Sequence, residues 1–162
     1  MKKYKQLFII LNLLLLLSYF AWAVIQKETL LKKGQLVLLE LAPVDPRSLM
    51  QGDYMQLRYK ISEDFDAKGM PKRGYCVVRL DKNGIADGLR FQKHRSPLNP
   101  GEQLIEYASS DNRGIHIGAE SFFFQEGQSK KYEKAKYGGI KIDSNGNSLL
   151  ICLFDEHLLK LE

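Results

Sequence analysis

The sequence predicts a mainly β protein, a compact β-barrel or sandwich with one short helix, set behind a single N-terminal transmembrane helix. Three features predict it. Leu7–Ile25 is an apolar run of 19 residues without a charge. Beyond Gly34 the apolar residues fall into short strand-length runs separated by Asp, Asn, Gly and Pro, the spacing of an all-β fold. One later segment, Gln125–Lys136, is rich in helix formers instead.

Leu7–Ile25 reads LFIILNLLLLLSYFAWAVI. At about 1.5 Å rise per residue, a helix of this length spans roughly a 30 Å hydrocarbon core. Lys2, Lys3 and Lys5 precede it, and the first acidic residue, Glu28, follows it. Basic residues resist translocation, so the expectation is a cytoplasmic tip at 1–6, an anchor at 7–25 and an extracytoplasmic domain. Tyr19 and Trp22 stand near the outer end, where amphipathic rings suit the headgroup zone. Asn12 is tolerable as a single polar group and can also bond a partner helix. A cleaved signal peptide fits the same stretch, with Ala21-Trp22-Ala23 as its processing site. Against cleavage, Gln26–Lys33 continues the helical pattern up to Gly34, a natural stop. The resulting division is a juxtamembrane helical extension over 26–34 and a β-rich domain over 35–162.

Composition bounds the domain. The chain has 162 residues, which leaves one domain's worth of soluble protein after the apolar run. Its 44% apolar and 27% charged content is that of a folded globular chain. The net charge is +5, but three of those charges sit at Lys2, Lys3 and Lys5. The small remaining excess is unclustered, so no nucleic-acid partner is expected.

The elements follow in order. Leu36–Leu41 is a nearly continuous apolar run, suited to a core strand. Pro43 and Pro46 break it, and Asp45-Pro46 favours a turn. From Tyr54 the chain alternates. Met55, Leu57, Tyr59 and Ile61 share one face, while Tyr54, Gln56, Arg58 and Lys60 share the other, which predicts a half-buried strand. Ser62–Arg73 is a surface loop. Gly74–Leu80 and Ile85–Phe91 form a hairpin about an Asn-Gly turn at Asp81–Gly84. His94–Glu102 is a Pro- and Gly-containing loop. Gln103–Ser109 and Arg113–Gly118 are strands joined by Ser110–Asn112, Gln125–Lys136 is the helix, and Ile140–Ile142 and Ser148–Phe154 flank a last turn. Cys76 and Cys152 lie in separate strand runs; they either bridge neighbouring strands or remain buried free thiols. No His or second Cys stands at ligand spacing, so neither a metal nor any other cofactor is expected.

The densest stretch is Gly52-Asp53-Tyr54-Met55-Gln56-Leu57-Arg58-Tyr59, approached through Pro43-Val44-Asp45-Pro46-Arg47. Its letters match the motif that names the GDYXXLXY family, which the chain resembles from the apolar helix nearly to its end. Lys27, Glu28, Leu31 and Gly34 are similar to the family's junction. A second block, Glu120-Ser121-Phe122-Phe123-Phe124-Gln125-Glu126-Gly127, resembles a family pattern that has tyrosine at the position of Phe122 and proline at that of Gln125. Glu120, Phe123, Glu126 and Gly127 keep the pattern, and the phenylalanine removes any role for a tyrosine hydroxyl there. The resemblance implies a cell-envelope protein with no established activity, an accessory to a multi-spanning protein of the same inner membrane.

Gly52-Asp53 makes physical sense as a turn feeding a strand, with Arg47 or Arg58 pairing Asp45, Asp53 or Glu120. On that view Pro43, Pro46, Gly52, Leu57, Tyr59, Phe123 and Gly127 are structural. The functional alternative makes Asp45, Arg47, Asp53, Tyr54, Arg58, Glu120 and Glu126 a recognition surface, because tyrosine and arginine are common interface anchors. A hydrolase is the other class. Ser48–Asp53 is distantly similar to type I signal peptidases, which use a lysine-activated serine. The Ser-Met-x-Pro run of those enzymes is missing, and no spacing selects Lys60, Lys82 or Lys93 as a base. His94, His116 and His157 are scattered along the chain, and no catalytic residue is assigned.

The charge asymmetry makes orientation testable. A reporter active only outside the cytoplasm, fused after Glu162, is expected to be active, and the mature protein is expected to stay in the membrane fraction. An inactive fusion overturns the orientation; release into the soluble fraction selects the cleaved signal peptide.

Overall fold

The computed structural model describes residues 2–42, 54–63, 70–110 and 114–161. Helix α1 (Lys2–Lys33) is continuous through the apolar run and beyond it. It is long and apolar enough to cross a membrane, and none of its apolar window is covered by the rest of the protein. Its last turn is a built junction. Leu30 is buried against the domain, and the Gly34 amide donates to the Leu30 carbonyl at 2.8 Å. The Gly34 carbonyl in turn accepts from Lys141 Nζ at 2.7 Å.

Two half-barrel sheets and a small ribbon follow. The first sheet holds β1 (Gln35–Glu40), β8 (Tyr137–Ile142), β9 (Ser148–Phe154) and β10 (Lys160–Leu161), antiparallel in that order. The second has β4 (Ala86–Gln92), β3 (Arg73–Leu80), β5 (Glu102–Ser110) and β6 (Gly114–His116), in that order and also antiparallel. The ribbon pairs β2 (Tyr54–Gln56) with β7 (Ser121–Phe123). A parallel bridge from Leu38 to Ile85, with the Leu38 amide on the Gly84 carbonyl at 2.9 Å, ties the edge of the first sheet to the hairpin of the second. The core lies between the sheets: Val37, Leu39, Ile140 and Leu153 meet Cys76, Val78, Ile105 and Tyr107. Both cysteines are buried thiols outside any disulfide, one in each sheet, and burial pushes the Cys76 thiol up to about 12. It therefore packs as a small hydrophobe and is no nucleophile at neutral pH.

Turn chemistry repeats. Asp81 Oδ1 accepts from the amides of Asn83 and Ile85, Asp143 Oδ1 from Asn145 and Asn147, and Asp155 Oδ1 from His157 and Leu159. The position before the last amide has positive φ each time: Gly84 at 81°, Gly146 at 90° and Leu158 at 61°. The Asp81–Gly84 turn is thus not the two-residue Asn-Gly type expected, because Asn83 keeps ordinary backbone angles and the glycine alone is left-handed. The 93–101 loop hangs on Glu102, whose carboxylate accepts two bonds from Arg90 at 2.8 Å and two from Asn99 at 2.9 Å. Those bonds, the arginine's first, hold its carboxyl well below the ordinary range.

Two further sequence expectations change. The strand from Tyr54 ends at Gln56, and the chain passes through a bridge between Tyr59 and Leu41 into a single helical turn, α2 (Lys60–Glu63). Met55, Leu57, Tyr59 and Ile61 are all buried as the alternation requires. The ladder stops because β7 offers only three residues to pair with. The helix over Gln125–Lys136 shrinks to one turn, α3 (Ser129–Tyr132). Gly127 has φ of 80°, Gln128 offers no side-chain cap, and Tyr132 is the turn's one buried residue, so propensity had no apolar face to act on. Strands β7 and β10 are too short to leave a periodic signal.

Gly138 in β8 lies directly under Tyr59. A Cβ there would stand 2.8 Å from Tyr59 Cε1. Gly138→Ala is expected to cost about 1–3 kcal/mol through overpacking, read as a lower urea midpoint at unchanged slope. An unchanged midpoint would show that the ring can give way.

Candidate functional site

The family-type motif divides at the ribbon. In β2 and β7 the register sets Tyr54 opposite Phe123, Met55 opposite Phe122 and Gln56 opposite Ser121. Met55 and Phe122 turn inward, where the Phe122 ring meets Tyr132 edge-on at 5.0 Å. Tyr54 and Phe123 turn outward, with ring centroids 5.7 Å apart. Phe123, expected among the structural residues, is 74% exposed. Alternation explains it: in a three-residue strand with Phe122 inside, both neighbours must face out.

Past Gln56 the chain is clamped to the 117–120 turn. The Leu57 amide donates to the Glu120 carbonyl at 2.7 Å, and the Tyr59 hydroxyl donates to the Ala119 carbonyl at 2.6 Å. Burial, and after it the Glu120 carboxylate, pushes the Tyr59 phenol far above its ordinary value, so it remains a donor. Glu120 is occupied as well. Its Oε1 accepts from the Ile117 amide at 2.5 Å and the Gly118 amide at 3.3 Å, closing a turn in which Gly118 has φ of 78°. Ser148 Oγ donates to the Ile117 carbonyl at 2.7 Å from the first sheet. Glu120 therefore holds a turn through its Oε1. Glu126 is exposed beside Gly127, whose φ of 80° makes that residue a turn former. Arg58 is exposed and makes no ion pair with Glu120. Pro43, Asp45, Pro46, Arg47, Gly52 and Asp53 lie outside the described residues, as does Ser48.

Beside the motif runs a cleft of about 440 Å³, between residues 56–63 and β6. Gln56, Arg58 and Glu63 rim it; Ser62, His116 and Glu120 also line it. Ser62 Oγ and His116 Nε2 are shielded from water and have no hydrogen-bond partner among the described residues. Glu120 Oε1 stands 3.9 Å from His116 Nδ1. Serine, histidine and carboxylate thus share a cleft, but no hydrogen bond joins Ser62 to His116, the contact a nucleophile–base pair needs. Sequence reasoning missed Ser62 and His116 because only the packing of α2 on β6 brings them together. Among the described residues no group of three or more His, Cys, Asp or Glu side chains is placed to hold a metal.

Fold and site define a class: a β-rich domain behind a long apolar helix, with an aromatic ribbon beside a polar cleft. The chain belongs to the GDYXXLXY protein family, whose model matches residues 16–153. No curated protein and no solved structure matches it.

The two motif tyrosines are expected to behave differently. Tyr59→Phe leaves the Ala119 carbonyl unpaired and should cost about 1–3 kcal/mol. Tyr54→Phe removes a rim hydroxyl and should stay within about 0.5 kcal/mol. Equal urea midpoints for the two variants would show that the buried hydrogen bond carries no stability.

Proposed function

We propose that this is a single-pass inner-membrane protein, cytoplasmic at its tip, whose β-rich domain faces the periplasm and binds a polytopic protein of the same membrane as an accessory subunit. The observation that carries this is the outward Tyr54–Phe123 pair. A ring 74% exposed, 5.7 Å from a second, half-buried ring and tilted 39° to it, presents apolar area on a paired strand. Rigid aromatics beside an arginine, here Arg58, are the usual anchors of protein interfaces.

The helix junction supports the same role. From Ile25 to the domain the chain is helical, which sets the folded surface about 12 Å beyond the apolar run at helical rise. The bonds of Leu30, Gly34 and Lys141 replace a flexible linker, so the ribbon keeps one orientation toward a neighbour in the bilayer. Confinement to the same membrane raises effective concentration, and a small interface then suffices.

Crosslinking pulldown from native membranes tests this. Phe123→Ala and Tyr54→Ala are each expected to lower recovery of a polytopic partner about tenfold, the loss of roughly 1.4 kcal/mol from an interface anchor, with export and thermal stability intact. Full recovery with Phe123→Ala would overturn the ribbon as the interface. Labelling of the wild-type protein by a serine-reactive probe would turn the assignment to a membrane-anchored hydrolase.

A further inference from the structure

The direction of the strands brings one end of the β-rich domain back toward the apolar run. Strand β1 leaves the helix junction at Gln35, and β8 returns beside it to Ile142, the partner of Gln35. The turn at 143–147 therefore reaches past the junction and lies alongside the end of α1. A cleft of about 570 Å³ opens there, lined by Gln26, Thr29 and Lys33 of the helix and by Leu98, Gln103 and Ser144 of the domain. A second cleft, of about 330 Å³, holds one helix residue, Lys27, together with Arg73, Gly118 and Asn147. Gln26 and Lys27 directly follow the apolar run Leu7–Ile25. At helical rise Lys27 stands roughly 3 Å beyond that run, whereas the headgroup layer on each side of a bilayer is about 5–7 Å deep. The chain enters the domain farther out, but the domain surface around Lys27 folds back into that layer.

This end is cationic. Lys27, Lys33, Arg73, Lys93 and Arg95 are exposed. None of them makes an ion pair among the described residues. Arg95 is nonetheless fixed: Nε donates to the Tyr75 hydroxyl and Nη1 to Asn145 Oδ1, each at 3.0 Å. The second bond joins the loop that carries Leu98 to the 143–147 turn. Of the carboxylates lining the two clefts, Asp143 accepts from the amides of its own turn, and Glu102 is taken by Arg90 and Asn99. Glu106, half-buried in the second cleft, offsets one of the cations. Leu98, 41% exposed, adds an apolar tip to the same end.

We propose that this end of the domain rests on the bilayer surface, with Lys27, Arg73 and Arg95 on the phosphates of anionic phospholipids and Leu98 in the headgroup layer. This inference rests on the reading of α1 as a membrane-spanning anchor, and it needs no polytopic partner. The cations flank α1 on two faces rather than converging in one pocket. That distribution suits an extended anionic surface and not a single compact ligand. Each Lys or Arg beside an anionic leaflet favours contact about fivefold. The helix already holds the domain at the surface, so the contact pays no separate cost of association.

The test uses purified full-length protein in vesicles of phosphatidylglycerol and phosphatidylcholine, where no other protein is present. A thiol-reactive fluorophore is attached at Leu98→Cys or, on the neighbouring turn, at Ser144→Cys. The control is Leu159→Cys, an exposed position beyond the opposite end of β9; the native thiols are buried. Quenching is read from a phosphatidylcholine that carries a nitroxide on its headgroup. It is expected to be severalfold stronger at Leu98 and Ser144 than at Leu159. Arg73→Gln is expected to lower the ratio of docked to free domain about fivefold, one cation's share. Lys82→Gln, in the turn at the far end of β3, is expected to leave that ratio unchanged. If Leu98→Cys fails to fold, Ser144→Cys carries the comparison. Resistance to alkaline carbonate, measured on the same vesicles, reports the anchor separately. Carbonate-resistant protein with no excess quenching at either position over Leu159 overturns the bilayer contact and leaves the accessory role untouched. Quenching that is equal in pure phosphatidylcholine, or unmoved by Arg73→Gln, overturns recognition of anionic headgroups. Extraction by carbonate overturns the anchor, and this inference with it.

Discussion

The buried hydrogen bond from the Tyr59 hydroxyl to the Ala119 carbonyl draws together the motif segment, the first sheet and the turn between β6 and β7. Tyr59 arrives from the motif strand, packs its ring on the bare backbone of Gly138 in the first sheet, and ends on the turn leading from β6 to β7. That turn is held from the other directions by Glu120 and by Ser148. An unpaired carbonyl in such a site costs far more than a surface bond contributes. The ribbon and the cleft thus share one buried anchor, the Tyr59 phenol, while the Leu38–Ile85 bridge joins the two sheets directly.

The consequence is a division of labour inside the motif. Its leucine and second tyrosine are core, Met55 is core, and the outward side is left to Tyr54, Gln56 and Arg58. The ribbon is only three residues long on each strand, which on its own would be marginal. It persists because Met55 is buried and Phe122 half-buried beneath it, and Leu57 and Tyr59 are clamped just beyond it. Rigidity below allows exposed aromatic area above. The same logic applies at the helix junction, where Leu30 and Lys141 turn a chain connection into a fixed joint.

Much of this was legible in the residues. Alternation from Tyr54 to Lys60 assigned every inward and outward side chain in that stretch, even where the ladder itself stops. Both long hairpins were bounded by Asp and Gly, whose roles are local: a carboxylate that accepts neighbouring amides and a residue free to adopt positive φ. The helix at Gln125–Lys136 was overestimated for the complementary reason. Its charged residues favour helix locally, but Tyr132 alone is fully buried, with Ala135 half-buried beside the core. The surroundings of individual polar and aromatic side chains were less legible. Glu120 reads as a surface carboxylate, and only the fold shows its Oε1 accepting from the Ile117 and Gly118 amides. Phe123 looked structural because it is large and apolar, yet its register with Tyr54 sends it outward.

What the sequence determined by itself is whatever depends on near neighbours: the length of the apolar helix, the periodicity of the strands, the turn residues, and the family to which the motif belongs. Tertiary structure alone decided which strand ends up at an edge, that Ser62 and His116 line one cleft, and that the two cysteines lie apart in different sheets. Those outcomes depend on pairings between distant segments, and a strand's amino acids specify which face it buries far more strongly than which neighbour it takes.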